Sequence, residues 1–260
     1  MRPPKKSNQM TLDLWGTSYI LVAVFLLIIL LVVLKAVFLL PKNSKKFTES
    51  KYTYNAIQLL GSREFQTECF DVILSDRSLF AVIAGGNADT KLGRNIATLI
   101  VETLKNEYRH ESYNTANMEE FFRKSIKKAH KTISDNVYEH NTPPSILIVI
   151  IENGFLNIAE MHGSLRGNSV HVHRDKHLIE ITNRKTISSI QVSRLKLTGD
   201  EIIMMASKGA TSSLTETNII SCLSGSTHPR WKNKKIEDSI KRKYLKNQDN
   251  VTVIIMERMS

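Results

Sequence analysis

The longest apolar stretch of the chain runs from Tyr19 to Leu34 without a polar residue, and after Lys35 it resumes to Leu40, just before Pro41. About 20 apolar residues cross a bilayer core, so Tyr19–Leu40 reads as a transmembrane helix with Lys35 snorkelling from its end. A cleaved signal peptide is the alternative. Its apolar region runs to only ~7–15 residues and ends at a small-x-small site, which is missing before Pro41. The pattern then shortens. Alternating and β-branched runs predict strands at Tyr52–Leu60, Phe70–Ser75 and Leu79–Ala84. Ile96, Leu99, Ile100 and Leu104 recur at helical spacing within Lys91–Tyr108. Asn117-Met118-Glu119-Glu120 opens a second helix, to about Tyr138, striped by Phe121, Phe122, Ile126, Ala129, Ile133 and Val137.

Pro143-Pro144 closes that region. Ser145–Ile151 and Phe155–Glu160 flank Asn153-Gly154, a hairpin signature. Short strands follow at Ser169–His173, His177–Thr182 and Glu201–Ala206, helices at Thr215–Leu223 and Ile236–Leu245, and a last strand at Val251–Met256. Strand-rich blocks separated by paired helices give an α+β chain. The organisation is a tail over residues 1–18, a span over 19–40, a basic linker over 41–51 and one domain over 52–260.

The 260 residues carry a formal net charge of +11. Arg123-Lys124, Lys127-Lys128, Arg230 through Lys235 and Lys241-Arg242-Lys243 concentrate it in the domain. No known nucleic-acid module is visible around these bases, so nucleic acid is not an expected partner. A solvated basic face beside an acidic membrane fits better. Lysines at 42, 45, 46 and 51 outnumber the bases before the span and place the carboxy-terminal domain in the cytosol. Two cysteines, Cys69 and Cys222, are too few for a secreted disulfide framework.

Five blocks carry candidate chemistry. They are Gly61-Ser62-Arg63-Glu64-Phe65-Gln66-Thr67-Glu68, Phe80 through Gly86, Ile158-Ala159-Glu160-Met161-His162-Gly163-Ser164, Asp200 through Gly209, and Asp249-Asn250-Val251-Thr252-Val253-Ile254-Ile255. In order and approximate spacing they resemble the metal-dependent (PPM, type-2C) serine/threonine protein phosphatases, whose motifs are G-x-R-x-x-M-E-D, F-A-V-x-D-G-H-x-G, N-x-G-D-S-R, D-E-F-L-I-L-A-S-D-G and D-N-x-T-V. The resemblance covers roughly Tyr52–Glu257. It implies a central antiparallel β-sandwich with helices on both faces, and a site where carboxylates hold two magnesium or manganese ions.

The carry-over onto this chain is incomplete. The two acids of the first motif fall on Thr67 and Glu68. The bridging aspartate of the second falls on Ala84, followed by Gly85, and the aspartate of A-S-D-G falls on Lys208. Only Asp249 is kept outright. Five acids become two and an ammonium, taking the site from about −5 to about −1, and a lysine beside a divalent ion costs on the order of 10 kcal/mol. No resident metal is therefore expected, with Glu68 and Asp249 as the weak candidates. Lys208 is expected to stand in for the missing cation by pairing with both. Arg63 falls on the family's phosphate-contacting arginine, or is a strand-end arginine in water. Val192-Ser193-Arg194 with Gly199-Asp200 is too widely spaced for the S-R-x-x-G-D motif. His171, His173 and His177 lie close in sequence, but no cysteine or acid completes a metal set.

The sequence thus reads as a single-pass membrane protein with an inactive, pseudophosphatase-like domain, not an enzyme, that binds a protein partner or a phosphorylated ligand. The alternatives are a weak phosphatase using one magnesium or manganese ion on Glu68 and Asp249, and a structural membrane adaptor.

Overall fold

The computed structural model describes residues 26–27, 51–86, 90–110, 117–136, 143–162, 167–182, 189–225, 228–243 and 245–259. The chain divides into two units, Met1–Thr48 and Glu49–Ser260. In the first, only Leu26 and Leu27 are described, both helical and exposed. The rest of the predicted Tyr19–Leu40 span lies outside the described residues. Among those that are described, no helix is long and apolar enough to cross a membrane.

The second unit is built on two antiparallel sheets. One has the order β1-β10-β9-β6-β7, from β1 (Tyr52–Leu59), β10 (Val251–Arg258), β9 (Ile202–Ala206), β6 (Ser169–Arg174) and β7 (His177–Glu180). The other has the order β2-β3-β4-β5-β8, from β2 (Glu68–Leu74), β3 (Ser78–Gly85), β4 (Ser145–Glu152), β5 (Phe155–Met161) and β8 (Gln191–Lys196). Helices α1 (Lys91–His110) and α2 (Met118–Asn136) cover the second sheet, and α3 (Lys208–Ser213), α4 (Glu216–Leu223) and α5 (Pro229–Lys243) cover the first.

Three apolar layers follow from the residue pattern. Leu79, Ala81 and Ile83 of β3 meet Ile254 and Met256 of β10 between the sheets. Phe80, Val82 and Ala84, on the other face of β3, pack against Ile96, Ile100 and Phe122. Met204, Val253 and Ile255 pack against Leu223, Ile236 and Ile240. Because β3 and β4 are covered on both faces, they read as continuous apolar runs. The predicted hairpin forms as a turn with positive φ at both Asn153 (51°) and Gly154 (77°), as a primed turn requires.

Three elements depart from the sequence expectation. Strand β8 was not foreseen: its Gln191, Ser193, Arg194 and Lys196 show no apolar alternation, because it is the half-exposed edge of its sheet. Helix α3 has no apolar stripe to announce it. Helix α5 begins at Pro229 rather than Ile236, since two of its early inward positions are Lys232 and Asn233. Lys232 satisfies its charge on Glu257, and the Asn233 side-chain amide donates to the Asn55 carbonyl at 2.7 Å.

Candidate functional site

The start of β2, the end of β3, the end of β9 and the start of β10 lie at one end of the sandwich, because β2 pairs with β3, and β9 and β10 pair with each other. The Gly61–Thr67 loop is tied to this end. The Asn250 side-chain amide donates to the Phe65 carbonyl at 2.8 Å and to Thr67 Oγ1 at 3.3 Å, and Ser62 N donates to the Gln248 carbonyl at 2.7 Å. Gly86 N adds a bond to the Thr67 carbonyl at 3.1 Å. Thr67 thus helps hold the loop together.

Glu68 lies between the sheets. Its Oε2 accepts from Thr252 Oγ1 at 2.7 Å, and Thr252 Oγ1 accepts from Gln58 Nε2 at 3.2 Å. Burial pushes the Glu68 carboxyl up to about 8; bonds to Thr252 and Ser207 pull down less strongly, and the charge of Asp249 pushes up. At neutral pH this acid is largely protonated. A carboxyl raised by folding favours the fold most below its unfolded value near 4.5, and that advantage is lost as pH rises through about 8. With partial exposure discounted, wild type should lose about 2 kcal/mol of stability between those limits. Glu68→Gln should be flat over the same window. Parallel urea midpoints for the two proteins from pH 5 to 9 would contradict the assignment.

Asp249 is half-buried and faces a cation. Arg63 Nε lies 3.3 Å from its Oδ1, which also accepts from Asn250 N at 3.0 Å. The expected pairing of Lys208 with Glu68 and Asp249 is corrected here. Lys208 is exposed as the first residue of α3, and Arg63 supplies the cation beside Asp249. The reason is hydrogen bonding: Ser207 N donates to the Thr252 carbonyl and Ser207 Oγ accepts from Thr252 N, so Ser207 takes the inward position and the helix begins with Lys208 exposed. Ala84, on which the bridging aspartate of the second motif was expected to fall, lies on a different face from Glu68. It is fully buried on the face of β3 that meets α1 and α2, whereas Glu68 is on the face between the sheets. Gly85 pairs with Glu68 across the β2–β3 ladder.

Two features escaped the sequence reading. Glu160 and His162, both buried at the end of β5, are joined by a 2.7 Å hydrogen bond between His162 Nε2 and Glu160 Oε2. They lie three strands from Glu68 in the same sheet, about 14 Å away; acids and histidines at alternate strand positions are the signal that could have found them. Asn250 is the second: its side chain, not only that of Asp249, fixes the loop. The expected erosion of the third block falls on residues 163–166, outside the described residues. Val192-Ser193-Arg194 belongs to β8, where Arg194 lies over the Phe155 ring at 3.9 Å. Glu201 precedes β9. Burial alone would raise its carboxyl, but the backbone amides of Thr198 and Gly199 and the Thr198 hydroxyl hold it at about 2.

The two ions that the resemblance implies would need a cluster of acidic oxygen donors. Among the described residues no group of three or more His, Cys, Asp or Glu side chains is placed to hold a metal ion. Glu68 is turned to Thr252 and Asp249 to Arg63. These residues do not fit a binuclear centre. The histidines of β6 are engaged elsewhere, His171 Nε2 with Ser169 Oγ at 2.8 Å and His173 Nε2 with Ser224 Oγ at 3.5 Å.

No protein-family model and no curated protein matches the sequence. Solved structures do match. A serine/threonine phosphatase of S. agalactiae superposes with a TM-score of 0.69 at 12% identity, covering 80% of this chain and 100% of its own. The catalytic domain of the serine/threonine protein phosphatase PstP in complex with two manganese ions gives 0.64 at 12% identity, covering 80% and 99%. The PPM Ser-Thr phosphatase MsPP from Mycobacterium smegmatis, in complex with cacodylate, gives 0.60 at 10% identity, covering 80% and 98%. The fold is therefore that of the PPM-type serine/threonine phosphatases. This corrects the expectation that the chain is not an enzyme: lost acids had suggested it, but the fold is one that serine/threonine phosphatases carry.

Proposed function

We propose that this chain is a membrane-held regulatory protein of the phosphatase fold that takes phosphorylated serine or threonine side chains of a protein partner at its Arg63–Asp249 end and releases phosphate slowly. The charge of that end carries the reading. Arg63 lies beside Asp249 with its side chain 44% exposed, and Glu68 is raised to about 8, so the usual excess of carboxylate charge is gone. Exposed Lys208 adds a positive charge nearby at the start of α3. A phosphate dianion is attracted by a guanidinium and is not repelled by a neutral carboxyl. The reading assigns no resident metal and no nucleic-acid partner. The apolar Tyr19–Leu40 run and the lysines after it support a single-pass anchor with the domain in the cytosol.

The test is binding of a labelled phosphoserine peptide and its unphosphorylated twin, followed by anisotropy, with phosphate release measured in parallel. Arg63→Ala should weaken phosphopeptide binding about tenfold or more, and Arg63→Lys should recover only part, because an ammonium lacks the two-pronged contact. Equal affinity for both peptides, or an Arg63→Ala protein that binds like wild type, would remove the phosphate-reading role. Fast, manganese-stimulated release abolished by Asp249→Ala would favour the single-ion phosphatase instead.

A further inference from the structure

Helix α5 presents a solvent face that no function described so far uses. Trp231, Lys234, Lys235, Asp238, Lys241 and Arg242 follow one another at helical intervals of three and four residues or their sums, so they form one stripe. The buried positions Lys232, Asn233, Ile236 and Ile240 fall on the opposite side. Trp231 is 60% exposed, the most exposed large apolar side chain of the Glu49–Ser260 unit among the described residues, and the Arg230 guanidinium lies 5.9 Å from its ring centre. Four cations stand against Asp238 and the neighbouring Glu237, a surplus of two, before Arg230 and Lys243 are added.

The stripe borders a cleft of about 610 Å³ between α4 and α5, lined by Lys235, Lys241 and Arg242 together with Ser221 and Ser239. The cations are unequally engaged. Lys234 and Lys241 are paired with Glu237, and Lys234 also with Asp238. Lys235 donates to the Ser224 carbonyl at 3.4 Å and Arg242 to Ser239 Oγ at 3.3 Å, neither of them an acid. The first turn of α5 is fastened where the chain enters the domain: Lys232 pairs with Glu257, which is opposite Thr53, and Asn233 bonds Asn55. Trp231 therefore lies at the end of the sandwich where β1 begins, away from the Glu68–Asp249 end where β1 finishes.

We propose that the outer face of α5 docks on an acidic bilayer surface, with Trp231 in the interfacial layer and Lys235, Lys241 and Arg242 on lipid phosphates. An exposed tryptophan among cations matches a surface with an apolar interior and an anionic rim, because an indole settles at the headgroup level and each nearby cation adds attraction. The occupant follows from the membrane-anchored reading of residues 19–40, whose linker of residues 41–51 reaches at most about 40 Å before Tyr52. Docking by this face leaves the Arg63–Asp249 end free for a partner.

The Glu49–Ser260 unit is compact by itself, and the matched phosphatase structures cover 80% of this chain, so this unit is the protein to use. The chain's two tryptophans are Trp15 and Trp231, so in this fragment the indole signal reports α5 directly. Vesicles of phosphatidylcholine with and without phosphatidylserine are the probes, read by sedimentation and by tryptophan emission. Binding to acidic vesicles only, with a blue shift, is expected. Lys235→Glu with Arg242→Glu should weaken it by more than about tenfold. Trp231→Ala should weaken it several-fold. Lys127→Glu with Lys131→Glu on α2, an equal change of charge, should retain it. Sedimentation without a blue shift, equal loss in the two double variants, or no preference for acidic vesicles would overturn the proposal. Carbonate extraction of the full chain tests the anchor separately, so failure of one is distinguishable from failure of the other.

Discussion

Glu257→Ala is expected to lower the unfolding free energy by about 3–5 kcal/mol, the usual cost of stranding one member of a buried ion pair. Its partner Lys232 is 2% exposed, in the layer where α5 covers the first sheet. The ammonium also acts on His173, whose imidazole is lowered first by burial and then by the Lys232 charge. Removal of the carboxylate leaves that ammonium without its counter-charge, in a place where water cannot replace it. Adding Lys232→Met should restore most of the loss, because a side chain of similar length then fills the space without charge. Urea unfolding of the three proteins decides it. A loss below about 1 kcal/mol for Glu257→Ala would mean that Lys232 reaches solvent.

Gly209→Ala is expected to damage fold and site together. A Cβ at this position would overlap the Asn250 carbonyl oxygen and lie 3.0 Å from that of Asp249, both of them backbone atoms that cannot swing aside. The loop that sets Asp249 against Arg63 must then move. The cost should be about 2–3 kcal/mol in stability, typical of a forced backbone shift, with phosphopeptide affinity falling about tenfold as the Arg63 contact is disturbed. Unfolding and peptide binding measured on the same preparation check both effects. A variant that matches wild type in both would show that the loop does not depend on this close approach.

The strands β3 and β4 were plain from their apolar runs, and α1 and α2 from stripes of isoleucine, leucine and phenylalanine, because burial there is done by apolar side chains. Where polar residues do the inward work, the pattern is silent. Lys232 and Asn233 hid the first two turns of α5, and the edge strand β8 has little buried surface to reveal.

The site was legible in order but not in pairing. The blocks containing Arg63, Glu68 and Asp249 could be aligned along the chain, yet Asn250 bonds the Phe65 carbonyl across 185 positions of sequence. Nothing local tells which cation faces Asp249. Lys208, closer in sequence, was the expected one; the inward turn of Ser207 gave that place to Arg63. Likewise, the raised carboxyl of Glu68 depends on burial between two sheets, which only the assembled sandwich provides.

The end of the sandwich with Arg63 and Asp249 is proposed to suit a phosphate rather than a pair of divalent cations. The direct measurement is calorimetric titration of the Glu49–Ser260 unit with manganese and, separately, with a phosphoserine peptide at pH 7. An anion site predicts a heat of binding for the peptide that is lost in Arg63→Ala, and manganese affinity no tighter than about millimolar, roughly 4 kcal/mol. Micromolar manganese binding that disappears in Asp249→Ala, with no binding of the peptide in its absence, would contradict it.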